Sequence, residues 1–95
     1  MKTNYQMLND LENFQPEERG WVQKREMELL NDVLCLKERS DTELWNLRDF
    51  TVLYYSHKTG ELNVEQDYDK AMATMDKMSS ICFAIDNELF RRGRV

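Results

Sequence analysis

Apolar residues recur along this chain at helical spacing, and the most regular run lies in its last third. Val64, Tyr68, Ala71, Met75, Met78, Cys82, Ile85 and Leu89 are separated by alternating fours and threes. That repeat puts these side chains on one stripe of one long α-helix, a seam that must dock on other helices. The spacing predicts a helix over 64–92. Asn63 is its expected N-cap, with Gln66 three residues on as the reciprocal partner, and Gly93 its expected stop. Glu65, Asp67 and Asp69 near the start, and Arg91 and Arg92 near the end, match the helix dipole.

The preceding segments read the same way. Ser40-Asp41-Thr42-Glu43 is a capping box and opens a helix over 41–58, with Gly60 as the expected left-handed stop. Leu44, Leu47, Thr51 and Tyr54 make one face, widened by Phe50 and Leu53, while Trp45, Val52 and Tyr55 lie on another side. A helix apolar over most of its circumference is either central in a bundle or shared with a partner. Pro16, followed by Glu17 and Glu18, reads as the start of a helix over 16–38, weakened in its first turn by Gly20. Tyr5, Leu8, Leu11 and Phe14 give a short amphipathic helix over 4–14. The expected fold class is all-α. It is one domain over 1–95, a three-helix bundle built on a long antiparallel helical hairpin, with a short additional N-terminal helix.

This arrangement has a geometric consequence. If the last two helices pair around residues 60–63, the middle helix starts opposite residues 80–82. The last helix, about 43 Å long against about 27 Å for its neighbour, would then overhang by roughly 15 Å. The overhang carries Phe83, Ile85, Leu89 and Phe90, too apolar to stand in water alone. A second copy of the chain is the expected cover.

Composition narrows the function classes. With 95 residues, 41% of them hydrophobic, and two Trp, the chain belongs with folded single domains rather than disordered tails. A formal net charge of −5 argues against a nucleic-acid binder, which needs a basic face, and against anionic membrane surfaces. No apolar run reaches the roughly 18 residues of a membrane span, and residues 1–6 lack the apolar core of a signal peptide. The expected location is the cytoplasm, where Cys35 and Cys82 would be reduced thiols.

Candidate chemistry is sparse. His57 is a lone histidine near a helix C-terminus, where the dipole alone explains it. Cys35 and Cys82 read as small buried hydrophobes. Met72, Met75 and Met78 read as core filling, with Met72 off the seam and free to touch something else. Glu61, Glu65, Asp67 and Asp69 lack the spacing of a calcium loop. No metal-ligand spacing, phosphate-cradling glycine loop or nucleophile elbow is present, so no catalytic, cofactor-binding or metal residue is assigned and an enzyme is not expected.

Two functions follow from what remains. The first is a small helical interaction or regulatory protein that forms a homodimer and binds or inhibits another macromolecule, most simply a protein. Modulators made by phages and mobile elements are often of this kind. Its expected interface is Trp45, Val52, Tyr55, Met72, Phe83, Leu89 and Phe90. The second is a helical oligomer that holds a small anionic ligand, such as a nucleotide, between chains. Arg48, Arg91 and Arg92 are its expected anion contacts, beside Tyr54, Tyr55, His57 and Tyr68.

Overall fold

Among the described residues, four α-helices and one 3₁₀ turn follow one another, and the all-α class holds. The computed structural model describes residues 2–94. The helices are α1 (Asn4–Asp10), α2 (Lys24–Leu34), α3 (Asp41–Gly60) and α4 (Tyr68–Arg91), with the 3₁₀ turn at Leu36–Glu38 between α2 and α3. No helix among the described residues is long and apolar enough to cross a membrane.

The helix ends show which local signals were read correctly. The Ser40 hydroxyl accepts the Glu43 N–H at 3.1 Å, and the Glu43 carboxylate accepts the Ser40 N–H at 3.0 Å, completing the expected capping box of α3. Those bonds hold the Glu43 carboxyl below its ordinary pKa. Gly93 ends α4 at φ +74°. Its N–H reaches the Phe90 carbonyl, and the Arg94 N–H reaches the Leu89 carbonyl, each at 2.9 Å. That is the paired bonding of a Schellman stop, which requires a left-handed residue there. A capping box that sequence reading passed over, Thr3 with Gln6, opens α1.

Other boundaries are corrected. Residues 16–23 are not helical. Gly20 turns the chain at φ +76°, and the Trp21 N–H closes on the Glu18 carbonyl. The buried Glu26 carboxylate accepts the N–H of Glu17 at 3.0 Å and of Gln23 at 2.8 Å, which fastens this segment across the start of α2. Helix α2 stops at Leu34 because Cys35 is left-handed, at φ 54°. Gly60 does not stop α3 but lies inside it. Asn63 caps a turn rather than α4: its side chain accepts the Glu65 N–H, and its carbonyl accepts the N–H groups of Gln66 and Asp67. Helix α4 therefore starts at Tyr68, and α1 ends at Asp10 rather than 14.

The core is a single cluster. Leu8, Leu11, Leu30, Leu34, Leu36, Leu44, Leu47, Ile81, Ile85 and Leu89 are almost wholly removed from water. Contact is most extensive between α3 and α4. Burying such side chains contributes roughly 1.5–3 kcal/mol each, which offsets the entropy of ordering a short chain. The heptad seam is present only in part. Ala71, Cys82, Ile85 and Leu89 are buried, but Val64, Tyr68 and Met75 face solvent. The buried row of α4 runs instead through Lys77, Ile81, Ala84 and Glu88 beside that seam.

The expected overhang does not exist. Arg92, just past the end of α4, places its guanidinium 3.1 Å from Asp41, the first residue of α3, and donates to the carbonyls of Leu36 and Lys37. The two helices are therefore level at this end. The premise failed at the other end, where the connection spans 61–67 rather than a tight turn. Ile85 and Leu89 are covered by their own chain.

Candidate interaction surfaces

Helix α3 presents apolar side chains on both flanks of its buried face, and each flank meets a different neighbour. On one flank Tyr5 of α1 packs edge-on to Tyr54, with ring centroids 5.7 Å apart. Phe50 stacks on Tyr54 at 6.1 Å, and Lys58 Nζ lies 5.0 Å above the Tyr54 ring. With Leu53, His57 and Glu61 these residues line an open groove of about 500 Å³. Leu53 is 70% exposed at its edge. His57 Nε2 sits 2.9 Å from the Glu61 carboxylate, in the last turn of α3, as a dipole-matched histidine would.

On the other flank Trp45, Arg48 and Val52 follow at helical spacing. The Arg48 guanidinium forms a two-point pair with Asp86 of α4, at 2.7 and 3.3 Å. Phe83 and Phe90 lie three and four residues from Asp86 on the outward stripe of α4, one helical turn away on either side. Phe90 is 72% exposed and Phe83 half-exposed. Phe83 also borders a small cleft of about 120 Å³ with Trp21 and Val22 from the segment before α2. Met72, half-buried, lies on the same stripe of α4.

Of the interface expected from sequence, Trp45, Val52, Met72, Phe83 and Phe90 reach the surface. Tyr55 and Leu89 do not. Tyr55 turns into the core, where burial and the neighbouring Tyr54 push its phenol well above the ordinary tyrosine pKa. Leu89 is completely enclosed. Tyr68 is exposed, and neither the groove at Tyr54 nor a ring contact with Tyr54 or Tyr55 includes it. Cys82 is buried, and burial raises its thiol pKa, which suits a packing role.

The expected anion contacts are corrected as well. Arg48 holds Asp86. Arg91 grips Glu88 through Nε at 3.0 Å and Nη2 at 2.5 Å, and Arg92 adds Nε at 2.7 Å. All three guanidinia are thus occupied by the chain's own carboxylates and carbonyls, which is their structural role. Among the described residues no group of three or more His, Cys, Asp and Glu is placed to hold a metal ion.

Two buried charged positions were missed because polar residue types read as surface. Glu88 is 3% exposed, and Lys77 is 7% exposed with Nζ donating to the carbonyls of Leu11 at 2.9 Å and Glu12 at 2.7 Å. The spacing of Glu88 to Arg91 and Arg92 was a usable signal for the first. Hydrogen bonds from Arg91, then Arg92, hold the Glu88 carboxyl below its ordinary value against the opposing effect of burial. A depressed folded pKa stabilises the fold above the unfolded carboxyl pKa of about 4.3, and that stability is lost as pH falls through the folded value. Urea midpoints measured down this acid window are expected to fall less steeply for Glu88→Gln than for the wild type. Parallel slopes would show that Glu88 titrates alike in both states.

Compared with protein families, curated proteins and solved structures, the chain matches none.

Proposed function

We propose that this chain is a small helical interaction protein. In this reading α3 and α4 form an antiparallel hairpin that α2 completes as a three-helix bundle, with α1 as an added brace. The chain pairs with a second copy through the face carrying Trp45, Val52, Phe83 and Phe90, and offers the Tyr5–Leu53 groove to a protein partner. Binding or inhibition, rather than catalysis, is the activity.

The observation that carries this reading is the exposure of large apolar side chains on both flanks of one central helix. Small monomers seldom leave such side chains clustered in water, and aromatic residues beside arginine are what protein interfaces favour. Trp45 and Phe90 lie one turn to one side of the Arg48–Asp86 pair, and Val52 and Phe83 one turn to the other, so a facing copy would find an apolar surface with a fixed charge pair at its centre.

Light scattering across a range of concentrations tests it. The wild type is expected to be dimeric. The double substitution Trp45→Ala, Phe90→Ala is expected to weaken the dimer by at least about a hundredfold, as loss of two aromatic anchors does. Leu53→Ala is expected to leave the mass unchanged. A wild type that stays monomeric, or a dimer indifferent to the double substitution, would refute self-association through this face.

A further inference from the structure

A cavity that borders the Tyr5–Leu53 groove, sharing Tyr54 and Lys58 with it, opens where the end of α1, the last turns of α3 and the first half of α4 meet. It has a volume of about 220 Å³, and its lining includes Glu12, Gln15, Tyr55, Lys58, Thr74 and Lys77.

Three groups of its wall keep donor capacity that a ligand could use. Tyr55 is 3% exposed and its hydroxyl takes part in no hydrogen bond among the described residues; no buried side-chain oxygen there lacks a partner, so this hydroxyl opens to the solvent of the cavity. Lys77 has two of its three ammonium protons on the carbonyls of Leu11 and Glu12, which leaves one donor. Lys58, on the neighbouring helix, rests over the Tyr54 ring and makes no ion pair with a described carboxylate, and it is close enough to Lys77 for the two charges to repel. Thr74 is already committed, its hydroxyl donating to the Lys70 carbonyl. Glu12 is the single carboxylate in the lining, so the wall carries two cations against one anion.

We propose that this cavity binds a small oxyanion of the phosphate class. Lys58 and the remaining N–H of Lys77 supply the charge. The Tyr55 hydroxyl and the Gln15 amide supply neutral donors. The fixed Lys77 ammonium, held by two carbonyls, gives the site a rigid cationic point, while Lys58 swings in from its seat over the Tyr54 ring. A bound oxyanion relieves the repulsion between the two ammonium groups and takes the place of solvent at the Tyr55 hydroxyl. Glu12 opposes binding and keeps the affinity modest.

The test is a two-dimensional amide NMR titration of the full chain with inorganic phosphate, against sodium chloride at matched ionic strength and neutral pH. Saturable shifts are expected at Gln15, Tyr55, Lys58 and Lys77 with phosphate and not with chloride. K58M and Y55F are each expected to weaken binding about tenfold, the effect of one lost bond to a charged group. Both keep the wall's volume and leave the core intact, which an unchanged thermal midpoint without phosphate verifies. E12Q is expected to tighten binding several-fold by removing the opposing charge. Shifts that fail to saturate, an affinity indifferent to K58M and Y55F, or an E12Q chain that binds no more tightly would each overturn the proposal.

Discussion

Leu89→Ala is expected to cost the fold roughly 3 kcal/mol, while Phe90→Ala beside it costs less than about 0.5 kcal/mol. The two residues are adjacent, and both belong to the apolar end of α4, yet their surroundings are opposite. Leu89 is fully enclosed in the same cluster as Leu36, Leu44 and Ile85, so truncation opens a cavity there. Phe90 faces outward, so truncation removes surface that was already wet. Urea unfolding decides the matter, at chain concentrations low enough that the midpoint no longer depends on concentration, since association would otherwise add its own stability. Equal losses at the two positions would mean that α4 is rotated from the orientation described here. A small loss at Leu89 would mean that the end of α4 is not docked.

Lys77→Met should destabilise the chain by roughly 2 kcal/mol, because two bonds from a charged donor are removed and two carbonyls lose their partner. Methionine retains the apolar stem, so the packing term stays nearly constant. Amide exchange adds a local readout: the protection of α1 should fall further than that of α3. Alkaline pH gives a second. Burial, and then the charge of Lys58, lower the Lys77 pKa below the usual lysine value. The unfolded lysine titrates near 10.4 and so holds its proton over a window in which the folded one has begun to lose it. Stability from this group therefore rises with pH through that window. The wild type is expected to show the rise and K77M to lack it. Unchanged stability in K77M, with α1 protected as before, would reduce Lys77 to a bystander.

Much of the fold could be read from local chemistry. The Ser40–Glu43 box, the glycine stop at 93 and the apolar periodicity each correspond to a backbone need that one short segment satisfies. What could not be read depended on distant partners. Pro16 looked like a helix start, but the N–H of Glu17 next to it is claimed by Glu26, a residue whose burial is settled only by the fold. Cys35 ends α2 in a conformation usually left to glycine, so its residue type gave no warning. The strict seven-residue seam misplaced the buried face of α4 because that helix meets neighbours on more than one side, and the straight 3.6-residue period then governs instead of 3.5. Val64, Tyr68 and Met75 kept the pattern without having a partner to bury them. At the candidate surfaces, Trp45, Val52 and Phe90 were legible as apolar residues off the core stripe. Tyr5 was not, because its place against Tyr54 depends on how α1 folds back.

Helix α4 carries a buried ammonium at Lys77 and a buried carboxylate at Glu88, three turns apart along one row. Each is matched to fixed partners: Lys77 to the carbonyls ending α1, and Glu88 to arginines of which one also clasps Asp41. Sliding α4 along α3 by a single turn, about 5.4 Å, would carry Lys77 off its carbonyls and pull the Arg92 clasp away from Asp41. An all-leucine row would tolerate that slip, since one apolar contact replaces another. These two charges act as alignment pins, and they select one packing of the helices from a family of near-equals.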